Sequence, residues 1–208
     1  MFIPLIDILR CVQPHDETWL VASIDRAEER DMLEGSLGCP TCLAEYRVEQ
    51  GLVRFSDVSR PAFRAPNEQD AVRLAAALDL TDPRMTAILH GSLGALAPMI
   101  RGISPAQLLL VNPPEGIPSG DGISIVISDR APVAMASAGA VAADADASPL
   151  MLGSLRSALR AGGRMAGPVA TAPPGDLVEM ARDDEIWVAS LDASAATSAP
   201  ILPTRRSR

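Results

Sequence analysis

The chain has 208 residues, 48% of them apolar but only 3% aromatic, and a formal net charge of −8 at pH 7. That length allows one large domain or two small ones, with ample apolar content for a core of Leu, Val, Ile, Met and Ala. The charge excludes a free-standing nucleic-acid binder, which would carry a basic stripe, so no direct nucleic-acid partner is expected.

No uninterrupted apolar run reaches about 18 residues, so no membrane span is expected. The start, with Pro4 and Asp7 and no basic residue before Arg10, does not read as a secretory signal. A reducing cytoplasm is the expected compartment. Three cysteines, Cys11, Cys39 and Cys42, fit a disulfide framework poorly. A C-x-x-C pair in such a chain points to metal or redox chemistry.

Residues 4–10 are apolar-periodic and predict two helical turns that deliver Cys11. Residues 18–24 are β-rich, 25–31 are almost wholly charged and read as a turn, and 32–37 form the returning strand. Residues 44–48 and 52–55 predict a second hairpin with Gly51 in its turn. Gly35 and Gly38 permit the positive φ that a metal knuckle often needs. Cys39 and Cys42, two residues apart around Pro40 and Thr41, can supply one edge of a tetrahedral zinc site, and Cys11 with His15 the opposite edge. Such a site would hold together two hairpins too small to bury a core alone. A redox pair is the rival reading, but those pairs open a helix after a strand. A solvated loop is the rival reading for His15.

Three segments carry a resemblance: Ile6-Asp7-Ile8-Leu9-Arg10-Cys11, Leu37-Gly38-Cys39-Pro40-Thr41-Cys42, and Tyr46-Arg47-Val48-Glu49-Gln50-Gly51-Leu52. Together they are similar to the small zinc-ribbon activator subunit of methyltransferases, over about residues 3–56. The resemblance implies zinc and a methyltransferase as protein partner. The family usually has a second cysteine just after the first. Here Val12, Gln13 and Pro14 follow, and His15 is the nearest substitute.

Residues 57–66 have no apolar period and read as a linker. Asn67 reads as an N-cap of a helix running to about residue 80. Strand-like and helical runs then alternate: strands at 84–89, 107–111, 123–128, 132–143, 165–170 and 185–191, and helices at 93–103, 149–160 and 176–181. Continuous apolar strands alternating with helices predict a mostly parallel sheet covered on both faces. The fold class is therefore α/β: a small β-rich ribbon followed by a Rossmann-like, doubly wound sheet. The expected units are 1–56 ribbon, 57–66 linker, 67–192 α/β domain and 193–208 disordered tail.

The glycine turn Gly91-Ser92-Leu93-Gly94 after the first of those strands offers free N–H groups to an anion, or simply packs strand against helix. The run Leu155-Arg156-Ser157-Ala158-Leu159-Arg160-Ala161-Gly162-Gly163-Arg164, with the element order of residues 84–191, resembles a class I S-adenosylmethionine-dependent methyltransferase domain. That resemblance implies S-adenosylmethionine as cofactor, with Gly91, Gly94 and Asn112 as its contacts. The family's first motif, an acidic residue and three alternating glycines, falls on Ile88, His90, Ser92 and Gly94. The acidic ribose-binding position falls on Asn112, followed by Pro113 and Pro114. Asn112-Pro113-Pro114 is also similar to the signature of amino methyltransferases, with Glu115 in place of the aromatic residue. Asp144 and Asp146 read as caps of the helix near Pro149 or as catalytic groups, and His90 as a packed histidine or a general base. The motif losses favour a non-catalytic methyltransferase-like binding or regulatory component. An active enzyme with its activator in cis is the alternative, and a purely structural partner of a methyltransferase is a third reading.

Overall fold

The computed structural model describes residues 1–192. The expected tail at 193–208 lies outside the described residues. A 3₁₀ segment, Ile3–Ile8, comes first. Two hairpins follow: β1 (Val21–Glu28) with β2 (Asp31–Gly38), and β3 (Glu45–Glu49) with β4 (Leu52–Arg54). The β3–β4 turn is the dipeptide Gln50-Gly51, with φ of 51° and 75°. Two consecutive positive φ values make the two-residue turn whose twist suits a hairpin, and glycine takes the second at no steric cost.

The parallel strands are β5 (Thr86–His90), β6 (Gln107–Val111), β7 (Ile123–Ile127), β8 (Ala138–Ala142) and β9 (Leu159–Pro168). Antiparallel β10 (Leu177–Arg182) and β11 (Ile186–Leu191) close one end. Among the described residues one sheet of 11 strands runs β1-β2-β3-β4-β7-β6-β5-β8-β9-β11-β10. Counted from β5, the α/β part begins 3-2-1-4-5, the Rossmann-like order, with its switch at β5. The expected α/β class with a mostly parallel sheet is what the chain adopts. β4 joins β7 in parallel register, Leu52↔Ile125, Val53↔Val126 and Arg54↔Ile127, so the hairpins extend the same sheet.

Side chains alternate across the sheet, as period-2 strands require. Leu89, Leu108 and Leu110 pack against α1 (Glu68–Leu78) and α2 (Ala97–Ile103) through Leu74, Leu78 and Ile100. Ile88, Leu109 and Val111 pack on the other face, under Met151 and Leu155 of α3 (Pro149–Ala158). Leu5, Ile6, Leu9, Met32, Leu37 and Phe55 belong to that same buried cluster. The connections 112–122 and 128–137 hold no helix. The N-terminal segment instead lies along the second of them, where Arg10 N–H donates to Pro132 O and Ala134 N–H to Ile8 O, both at 2.8 Å.

Two expected helices differ. Residues 93–103 split into a 3₁₀ turn, Gly91–Leu96, and α2, with a proline in its first turn. Pro98 has no N–H to continue a helical ladder, and it sets the φ of a fresh start. Residues 176–181, expected as a helix, form β10 instead. There Leu177↔Leu191 and Val178↔Ser190 complete the open edge of β11, and ladder pairing outweighs local helix preference.

Candidate metal centre and strand-end groove

Cys11 follows the 3₁₀ segment, and its N–H donates to Thr18 O at 3.1 Å, closing a loop that contains His15. Cys39 ends β2. Its N–H donates to Ala44 O at 2.8 Å, and Leu43 N–H returns to Cys39 O at 3.0 Å. The left-handed residue that closes this knuckle is Leu43, at φ 61°, rather than Gly35 or Gly38. Gly35 has φ of 145° but lies inside β2, where a Cβ would strike Ser23 O.

The ligand atoms of Cys11, His15, Cys39 and Cys42 all lie within 4.8 Å of one another. Cys11 Sγ is 3.6 Å from Cys42 Sγ, and Cys39 Sγ is 3.4 Å from His15 Nε2. A tetrahedron with Zn–S of ~2.3 Å and Zn–N of ~2.0–2.1 Å has S···S edges of about 3.8 Å and S···N edges of about 3.6 Å. Both observed separations are close to those edges. His15 Nδ1 lies 2.7 Å from the Asp16 carbonyl oxygen. That contact puts the ring proton on Nδ1 and leaves Nε2 as the ligating atom, the usual second partner of a metal-bound imidazole. The donor set therefore fits zinc. Burial raises the Cys11 thiol, but hydrogen bonds from Tyr46 and the Gln13 main chain bring it below the ordinary range. Cys39 is lowered likewise: burial raises it, and the Cys42 and Thr41 amides outweigh that. Cys42 is drawn down by the Ala44 amide, yet ends raised by burial and its two cysteine neighbours. Tyr46, whose hydroxyl is 3.2 Å from Cys11 Sγ, is pushed up to about 12 by burial and then by Cys11.

The second constellation lies at the carboxyl ends of β5 to β8. A groove of about 490 Å³ opens there, lined by Arg60, His90, Asn112, Ser128, Asp144 and Met151 among others. Gly91 has φ of 63°, and a Cβ on it would collide with the Asp144 carboxylate. Asp144 Oδ2 accepts the Ser92 amide at 2.8 Å and the Ser92 hydroxyl at 3.1 Å, and Oδ1 takes His90 Nδ1 at 2.9 Å. Burial raises the Asp144 carboxyl, but His90 and the Ser92 amide together pull it below the usual carboxylate range. Gly94 lies under Pro113, whose Cβ would be 2.5 Å from any Cβ placed there. Asn112, at φ 54°, is spent on the residue just past β7: its Nδ2 donates to Ser128 O at 2.8 Å, and its Oδ1 accepts Ser128 N–H at 2.9 Å. From residues 57–66, Arg60 donates to Pro113 O and Pro114 O, both at 2.6 Å.

Gly91, Asn112 and Asp144 thus line one groove, and Gly94 sits behind it under Pro113. Asp144 and Asp146 do not cap α3, because Ser148 does, with its Oγ accepting Met151 N–H at 3.1 Å. The His90–Asp144 pair was not legible, since 54 residues separate the partners. Its one signal is that His90 ends β5 and Asp144 lies two residues past β8, and β5 and β8 are neighbours. Tyr46 beside Cys11 carried no signal beyond its place at the start of the segment Tyr46–Leu52.

No family model matches the sequence, and none of the curated proteins matches it. Solved structures do. A geranyl diphosphate methyltransferase in complex with SAM is similar at 17% identity and a TM-score of 0.40, over 48% of this chain and 48% of that one. The complex between the Haloferax volcanii Trm112 methyltransferase activator and a methyltransferase is similar at 16% identity and 0.39, over 49% and 54%. Geranyl diphosphate C-methyltransferase from Streptomyces coelicolor A3(2) is similar at 12% identity and 0.45, over 59% and 77%. The chain spans about half the length of the first two. No helix among the described residues is long and apolar enough to cross a membrane.

Proposed function

We propose that this chain is a non-catalytic, methyltransferase-like protein that carries a zinc-ribbon module in cis and serves as a binding or regulatory component of a methyltransferase system. The observation that carries the first part is Asp144. In a nucleotide-binding α/β fold, the glycine turn after the first strand offers its N–H groups to the ligand. Here the chain's own carboxylate takes the Ser92 amide and lies over Gly91. Asn112, at the ribose position, is a neutral amide already paired with Ser128. A neutral amide also lacks the charge-assisted strength of a carboxylate toward a hydroxyl.

Residues 1–56 form the zinc-ribbon module, 57–66 the connector and 67–192 the methyltransferase-like domain. Cys11, His15, Cys39 and Cys42 hold zinc in a closed, four-ligand structural site. Bound there, the metal supplies a cross-link between the loop at 11–15 and the knuckle at 39–42. The pairing of β4 with β7 supports a module acting on its own domain. Thiol ligands suit a reducing compartment, the cytoplasm.

The test is isothermal titration of the purified chain with S-adenosylmethionine, alongside elemental analysis. The expected outcome is one zinc per chain and no cofactor heat; low-micromolar cofactor binding overturns the non-catalytic reading. The alternative, an active S-adenosylmethionine-dependent methyltransferase with its activator in cis, is favoured by one observation. A groove still opens at the strand ends beside the switch at β5, where ligands of such sheets bind. On that reading Gly91, Gly94 and Asn112 contact the cofactor after Asp144 moves aside, and Gly94→Val abolishes binding.

A further inference from the structure

Tyr46 is the single tyrosine of the chain. It lies on β3, where Tyr46 and Val48 are buried and Glu45, Arg47 and Glu49 are exposed. Its partner across the ladder is Leu37, two residues before Cys39, so strand register brings the ring to the base of the knuckle. The ring packs against Phe55 at a centroid distance of 4.5 Å and an interplanar angle of 43°. Phe55 is in turn fastened to the parallel sheet, its N–H donating to Ile127 O at 2.8 Å. The ring is thus held from two sides, and only 5% of the residue is exposed. A phenol this buried needs a partner for its hydroxyl. The hydroxyl lies 3.2 Å from Cys11 Sγ, and the Gln13 side chain and Val12 main chain also interact with it.

We propose that Tyr46 is an outer-sphere partner of the metal centre, its hydroxyl donating a hydrogen bond to the Cys11 thiolate. The inference rests on the zinc reading above. With the metal bound, Cys11 is a thiolate with no proton to give, so the phenol is the donor. The bond draws charge from that sulfur, fixes its position relative to the other three ligands, and makes it a poorer nucleophile. Partners of this kind around a metal site are typically worth ~10–100-fold in metal affinity. Phe55 holds the ring that delivers the hydroxyl. Tyr46 is a positioning residue for the metal, and no ligand itself.

The full-length chain tests this by chelator competition for zinc and by the spectrum of the cobalt-substituted protein. Tyr46→Phe keeps the ring and deletes the donor. Zinc affinity should fall about tenfold, and the thiolate-to-cobalt charge-transfer band should move to lower energy because Cys11 becomes more electron-rich. Phe55→Leu removes the stacking partner but not the hydroxyl, and should keep affinity within a few-fold of the parent. Because Tyr46 is the only tyrosine, biosynthetic 3-fluorotyrosine alters that hydroxyl alone. The more acidic phenol donates more strongly and should move the band to higher energy, a readout that survives even if Tyr46→Phe folds poorly. Unchanged affinity and unchanged spectra in Tyr46→Phe and the fluorinated protein overturn the proposal, as does an equal loss in Phe55→Leu. If the parent chain takes up neither zinc nor cobalt, the metal reading itself fails, which is a distinguishable result.

Discussion

The carboxylate of Asp144 lies in the space that a side chain on Gly91 would fill. The two residues lie just past the ends of neighbouring parallel strands, β5 and β8, and the contact sets the protein's own carboxylate against the glycine turn. Ser92 N–H and His90 Nδ1 complete the cluster at 2.8 and 2.9 Å. Its stability follows from the carboxylate being ionised, and its loss is measurable.

Asp144→Ala leaves the buried His90 imidazole and the part-buried Ser92 amide without their acceptor. Removing an ionised acceptor from such a set costs about 3 kcal/mol. The midpoint of urea unfolding should fall with little change in slope. Asp144→Asn keeps the shape and an acceptor oxygen and should cost less than half as much. Equal stability of all three proteins would show that the cluster is incidental.

The same residue sets a pH dependence. Burial alone would raise the Asp144 carboxyl, but His90 and the Ser92 amide and hydroxyl hold it below its ordinary value. A group whose folded pKa is depressed contributes stability that is fully present above its unfolded pKa, about 4, and is lost as pH falls through the folded value. Unfolding free energy should therefore be flat in this contribution at neutral pH and drop below about pH 4. Asp144→Asn should flatten that drop. An acid limb identical in parent and variant would refute the assignment.

Asn112→Asp restores the acidic residue that the methyltransferase resemblance implies at this position. Asn112 works as both donor and acceptor toward Ser128. A carboxylate can only accept, so it faces the Ser128 carbonyl unpaired. The cost should be about 1–3 kcal/mol. No gain in S-adenosylmethionine affinity is expected, because the side chain is directed at Ser128 and Asp144 still holds the turn. Calorimetry showing new micromolar binding would reverse that view.

Local chemistry explains what the sequence made legible. The run Leu108-Leu109-Leu110-Val111 is buried on both faces, and continuous apolar character marks such a strand. Asn67 caps α1 by accepting Gln69 N–H at 3.0 Å, as its place before an acidic first turn implies. Cys11, His15, Cys39 and Cys42 could be grouped by spacing and residue type, and their side chains do converge. What stayed hidden depends on register between distant segments. Nothing in Leu52-Val53-Arg54 says that its partner is Ile125-Val126-Ile127, because any apolar edge could serve. The strand at Leu177–Arg182 looked helical because its pairing with β11 is not written in its own residues. Asp144 read as a cap because Ser148, the real cap, lies four residues on, and the neighbour that claims Asp144 is across the sheet.

If the four-ligand cluster holds zinc as proposed, removing the metal should be felt beyond the hairpins. The cluster of four ligands ties the loop after Ile3–Ile8 to the end of β2, and β2 pairs β3, which pairs β4, which pairs β7 of the parallel sheet. Leu37, Tyr46 and Val53 from the hairpins share one buried cluster with Leu109 and Val126 from the parallel strands. Loosening one end of such a core costs the other end packing, so the two should unfold together. A strong chelator should lower the thermal midpoint, and the transition should remain single whether followed by tryptophan fluorescence or by far-UV dichroism. Trp19 lies beside the metal loop and Trp187 on β11 at the far side of the sheet, so Trp19→Phe and Trp187→Phe let each end be read separately. Trp187 is buried and Trp19 exposed, so the parent midpoints of the two variants differ, but the chelator is expected to shift both down by a similar amount. If the chelator moved only the Trp19 signal and left Trp187 untouched, the hairpins would be an independent unit, and the continuous sheet would contribute no coupling.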